Sequence, residues 1–250
     1  MPEISAPQPP TQARRWLGPL ALVLGAAVTL AAVAAETEEP DPFDAIPDLE
    51  ALVNAVNEGS LHFLPADRAQ GAHSHQNRIS IHADSLEDGW VGLQQCHEHL
   101  DPVPAAQIVY NPEGIRELAI LHTENIGEAW VEGNTVQLRA VEKRATLCVQ
   151  GETRALKELA AGGYRLRNGP YMRKFLDGYY PMRVALDIAY PPEVLVLARH
   201  LPPRQEGFEV RTGPSQVQVD ASFEGRLFTC FDFCRAGEPQ CLLADEPCGP

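Results

Sequence analysis

From residue 78 onward the chain changes side-chain character at every second position, and this restricts its fold more than any other feature. Ile79, Ile81 and Ala83 alternate with Ser80, His82 and Asp84, the period of a strand with one face buried. Residues 90–100 continue with Val91, Leu93, Gln95, His97 and His99 on one side and Trp90, Gln94, Cys96, Glu98 and Leu100 on the other. Asn111-Pro112-Glu113-Gly114 has the residues of a type I turn between two such runs, and Glu132-Gly133-Asn134 those of a hairpin connection. Further runs at 145–149, 183–190, 193–199, 208–212, 216–221 and 226–233 keep the short spacing. The expected fold is mostly β, a β-sandwich or an open barrel. Short helical insertions are expected at 48–59, 153–161 and 170–177, where Ala/Leu-rich or proline-led stretches end in glycine. Residues 65–77, polar and containing Gly71, read as a loop.

The amino-terminal end adds a location. Arg14 and Arg15 precede an uncharged apolar run over 16–35, and Ala32-Val33-Ala34 supplies small residues near its end. Residues 1–35 read as an export signal or, uncleaved, as a single-pass anchor long enough to span a bilayer. An acidic, proline-rich linker follows at 36–47, and 48–250 read as one β-rich domain with a cysteine-rich carboxy-terminal tail. Membrane contact is therefore expected only through the amino-terminal segment. A net charge of −14 argues against nucleic acid, whose phosphates demand a basic face.

Export decides how the six cysteines are read. In an oxidising compartment an even number points to disulfides before metal thiolates. Cys96 and Cys148 stand alone and are expected to pair with each other, while Cys230, Cys234, Cys241 and Cys248 make two bridges within the tail. A zinc knot from those four lacks the usual closely spaced pairs, and a reduced Cys96 as a copper ligand is the competing use of that thiol.

Five of the eight histidines, His73, His75, His82, His97 and His99, fall within one short stretch. His97 and His99 are alternate residues of an expected strand, so both can reach one ion, and His73 and His75 can join if their loop folds back over that strand. Copper or zinc is the metal this chemistry implies. A second concentration lies at 162–183, where Tyr171, Arg173 and Tyr179 belong to an aromatic and basic group suited to docking an envelope protein or a glycan. Ser74 between two histidines lacks the elbow of a hydrolytic serine, and no His-Glu-x-x-His or glycine-rich phosphate loop occurs. The first expectation is an exported, non-catalytic binding or structural domain of the cell envelope. A periplasmic copper or zinc protein built on the histidines is the alternative, and a metal-dependent hydrolase the second alternative.

Overall fold

The computed structural model describes residues 59–160, 162–175, 178–238, 241 and 247–248. The export segment, the linker and nearly all of the helix expected at 48–59 lie outside them. In chain order the elements are β1 (His62–Phe63), a one-turn 3-10 helix (Ala66–Ala69), β2 (Ser74–Ser80), α1 (Ser85–Asp88), β3 (Trp90–Leu100), β4 (Val103–Val109), β5 (Ile115–Glu132) and β6 (Thr135–Arg154). They continue with β7 (Leu156–Glu158), β8 (Tyr164–Tyr171), β9 (Lys174–Phe175), β10 (Gly178–Tyr179) and β11 (Met182–Ala189). The last four are β12 (Leu195–Leu201), β13 (Phe208–Thr212), β14 (Gln216–Glu224) and β15 (Leu227–Arg235). The protein is mostly β, as the alternating pattern predicts.

A nine-stranded sheet runs in the order β1-β14-β11-β2-β3-β6-β4, with β13 added on β14 and β5 on β6. A four-stranded sheet runs β12-β15-β8-β7, and β9 and β10 form a two-stranded ribbon. The main core lies between the two larger sheets. Ile79, Val91, Val184, Leu186, Ile188, Val217 and Val219 come from the nine-stranded sheet, and Tyr164, Leu166, Leu195, Phe231 and Phe233 from the four-stranded one, in one buried cluster. Removing such side chains from water is the dominant favourable contribution to folding, roughly 1.5–3 kcal/mol each.

β5 and β6 are far longer than the separate short strands expected over the same residues. Five non-glycine residues with positive φ, His99, Glu117, Asn125, Ala140 and Arg144, explain why. Each sits at or beside a place where the pairing register of β3, β5 and β6 slips or is interrupted. Bulges bend a strand without ending it, so pieces that read as separate strands are one bent ribbon. A second core of Val136, Leu138, Val141, Ala145, Leu147 and Val149 lies along this hairpin. Its turn matches the expectation: Glu132 pairs with Thr135, and the Thr135 hydroxyl donates to the Glu132 carbonyl at 2.8 Å.

Three local expectations fail, each because pairing overrides propensity. Residues 153–154 finish β6 and Leu156–Glu158 form β7 instead of a helix, because Leu156 pairs with Leu166 and is buried in the core. Pro170 and Tyr171 end β8 rather than opening a helix, Tyr171 pairing with Leu227. The expected loop at 65–77 contains the start of β2, an interior strand parallel to β11 and antiparallel to β3.

All six cysteines are paired: Cys96–Cys148, Cys230–Cys248 and Cys234–Cys241. This excludes the zinc knot and the reduced Cys96. Cys230 and Cys234 are residues of β15 rather than of a free tail, so the last two bridges fasten the carboxy-terminal segment to the four-stranded sheet. Three disulfides indicate an oxidising compartment. Among the described residues no helix is long and apolar enough to cross a membrane.

Candidate metal centre

On β2 the inward-facing positions begin with His75, Asn77 and Ile79, and His73 precedes the strand on the same side. β3 presents Gln95 and His97 to the same side, and β2–β3 pairing sets His75 directly opposite His97. The ring centroids of His75 and His97 are 4.1 Å apart, those of His73 and His75 4.8 Å, and those of His73 and His97 5.6 Å. One nitrogen from each ring lies within 4.8 Å of the other two. A tetrahedral ion with bonds of about 2.0–2.1 Å holds its nitrogens about 3.4 Å apart. The rings need little further convergence to reach that spacing.

The hydrogen-bond accounting of this corner does not close. His73 Nε2, His75 Nδ1 and His97 Nδ1 are all buried and without a partner. Leaving such groups unpaired costs roughly 1–3 kcal/mol each. The other nitrogen of His97 is engaged, at 3.0 Å from Gln95 Oε1, and that oxygen also accepts the Tyr110 hydroxyl at 2.8 Å. With Gln95 Oε1 accepting, His97 carries its proton on Nε2 and keeps a lone pair on Nδ1. A second-layer acceptor that fixes the imidazole tautomer is the usual support of a metal ligand.

Electrostatics keep the rings neutral, the form that binds metal. Burial pushes His73 down to about 4, assisted by Arg173 and His99 and opposed by Asp101. Burial pushes His97 down to about 3, with His73 adding to the effect. His75 falls well below the ordinary value, through burial and then through His97 and His73. The Tyr171 ring stands edge-on to His75 at 5.9 Å, and its hydroxyl accepts from Asn77 Nδ2 at 2.9 Å. Burial raises the Tyr171 and Tyr110 phenols, so both stay protonated.

The remaining predicted residues are placed elsewhere. His99 is exposed, because the slip of β3 against β6 between Glu98 and Leu100 breaks the alternation that would have put it beside His97. His82 is exposed and lies near Gly92, on the opposite side of the sheet from the triad. Ser74 donates to Glu98 at 3.3 Å, also on the opposite side. Tyr171 is 8% exposed, so it packs inside rather than presenting a docking face. Arg173 forms a two-pronged pair with Asp101, at 2.7 and 3.1 Å. Tyr179 is half-buried, 5.5 Å from Lys174 Nζ.

Asn77, Gln95 and Tyr110 were missed by sequence reasoning. Asn77 and Gln95 had a signal, since each sits two residues from a histidine of the triad on the same face. Tyr110 had none, because it arrives from beyond β4.

The three histidines can hold a metal ion. An all-imidazole set suits zinc, copper or nickel better than magnesium or calcium, which prefer oxygen. No protein-family model, curated protein or solved structure matches this chain.

Proposed function

We propose that the chain is an exported, periplasmic metal-binding domain that holds a copper or zinc ion at His73, His75 and His97 on a β-sandwich scaffold. The observation that carries this reading is that each of the three rings has a buried nitrogen without a hydrogen-bond partner and offers a ligand nitrogen within 4.8 Å of the other two. Two neutral aromatic polar groups, His97 through Gln95 and Tyr110, and His75 against Tyr171, keep the site in place. The apolar segment at 16–35 and the three disulfides support export.

Docking of an envelope protein or glycan through Tyr171, Arg173 and Tyr179 has less support, because Tyr171 is buried and Arg173 is committed to Asp101. A metal hydrolase would need a free general base beside the ion. Asp101, whose charge is felt at His73, is instead clamped by Arg173, which favours binding over turnover.

Elemental analysis of protein purified without chelator, followed by titration with Cu(I), Cu(II) and Zn(II), tests the proposal. One equivalent of copper or zinc is expected, lost in His75→Ala and His97→Ala and kept in His82→Ala and His99→Ala. Negligible metal with no uptake on titration ends it.

A further inference from the structure

The charges around the histidine triad are placed so that an ion bound there keeps its own charge uncompensated. Imidazoles bind metal in their neutral form, so His73, His75 and His97 together bring no charge. Among the described residues, no carboxylate or thiolate joins the cluster. Cys96, beside His97 in the chain, is closed into its disulfide with Cys148. Glu98 faces the other side of β3, where it accepts from Ser74. At His75 and His97 the influences are burial and the other imidazoles of the triad, with no carboxylate among them.

A carboxylate acts only at His73. It is Asp101, and Arg173 acts there in the opposite direction. Arg173 Nη2 and Nε donate to the two oxygens of Asp101 at 2.7 and 3.1 Å. The guanidinium is itself held over the rings of Phe175 and Tyr180, 5.2 and 5.5 Å from their centroids. The Tyr180 N–H then donates to the Arg173 carbonyl at 2.9 Å. A carboxylate gripped at both oxygens is cancelled as a charge and is not free to swing onto an ion.

Desolvation turns this arrangement into a preference. The cost of burying an ion grows with the square of its charge, so a divalent ion costs about four times as much as a monovalent one of the same size. Zn(II) also takes a fourth ligand in its tetrahedral sites, and the triad supplies three. Cu(I) has the same filled d shell as Zn(II) and one positive charge less, so the two ions compare chiefly by charge. Resting on the metal reading above, we infer that the triad takes copper as Cu(I) in preference to a divalent ion, and that the Asp101–Arg173 pair sets this preference.

Competition of the full chain against chelators of known affinity tests the inference, with Cu(I) measured without oxygen and Zn(II) and Cu(II) measured separately. Native protein is expected to hold Cu(I) at least about a hundredfold more tightly than Zn(II). Arg173→Ala uncovers the Asp101 carboxylate and should narrow that ratio about tenfold, the scale of one unit of charge acting through partly wet protein. Asp101→Asn removes the carboxylate and keeps the guanidinium, and should widen the ratio by a similar factor. A merely structural contact would weaken both metals alike in both variants. Both side chains are partly exposed; circular dichroism checks each fold, and if one variant fails to fold the direction of the other decides. Zn(II) or Cu(II) binding to native protein as tightly as Cu(I) overturns the inference, as do folded variants that leave the ratio unchanged or move it the same way. In those cases the metal reading stands, whereas no uptake of any of the three ions ends both.

Discussion

Among the described residues, the buried polar groups around Asp232 and around His97 differ in one respect. Asp232, 1% exposed, takes two hydrogen bonds from Arg165 at 2.7 and 3.0 Å and two from Arg199 at 3.0 and 2.8 Å. Its accounting closes. Burial opposes ionisation of this carboxyl, but the two guanidiniums outweigh it and hold the group below the ordinary carboxylate range. At His73, His75 and His97 three buried nitrogens, one on each ring, have no hydrogen-bond partner. The first group completes itself from within the chain and is structural. The second is incomplete without something from outside, which distinguishes a site from a support.

The comparison breaks most visibly at Asp232. Asp232→Ala removes the carboxylate held by both Arg165, which is deeply buried, and Arg199, and should cost about 3–5 kcal/mol in urea unfolding. If it unfolds like the native protein, the cluster is not the support described. Acid separates the two groups next. An unfolded chain takes up protons at histidine near pH 6.5, whereas folded His73 and His97 hold out to about 4 and about 3. The unfolded state therefore binds more protons through that window, and the metal-free protein should lose stability as pH falls below about 6.5. Asp232, depressed when folded, adds its own loss only below its ordinary value of 3.8. Thermal melts of metal-free native protein and His97→Leu across this range should diverge above pH 4, the variant having the flatter profile.

Metal should act on one group alone. A hundredfold excess over the dissociation constant adds about 2.7 kcal/mol to a protein that binds only when folded. Melts with and without zinc or copper should show that gain in the native protein and in Arg199→Lys, and not in His75→Ala. Gln95→Leu removes the acceptor that sets the His97 tautomer and should weaken metal binding about 10- to 100-fold without abolishing it, read by competition with a chelator. The smallest effect belongs to the metal-free triad: His97→Leu removes the unpaired Nδ1 together with the bond from Nε2 to Gln95, whose Oε1 still accepts from Tyr110, and should change stability by less than about 1 kcal/mol. A large loss would mean that Nδ1 too has a partner within the chain.

Much of the β architecture was legible because apolar residues alternate through β3, β11 and β14. The pairing of Cys96 with Cys148 was legible because both stood apart from the other four. β2 was not. Its first inward positions are His75 and Asn77 where a strand usually shows aliphatic residues, so hydrophobic alternation was visible only from Ile79. The residues that make the site polar are those that concealed the strand. His99 misled for the opposite reason, since its alternate spacing was real in sequence but a bulge turned it outward. The tautomer-setting Gln95 was within reach of a face-by-face reading, whereas Tyr110 depended on a long-range fold that spacing does not encode.

One consequence follows from β2 being shared between two surfaces. His75 and Asn77 face the core side, while Gln76 and Arg78 face outward, and the two sets alternate residue by residue. A shift of one residue along the strand would exchange them wholesale, placing an arginine and a glutamine toward the aliphatic core and the histidines in water. Point substitutions at these positions are local injuries. A single inserted or deleted residue between His73 and Ser80 would be a global one, so over this short stretch the chain should tolerate changes of identity far better than changes of length.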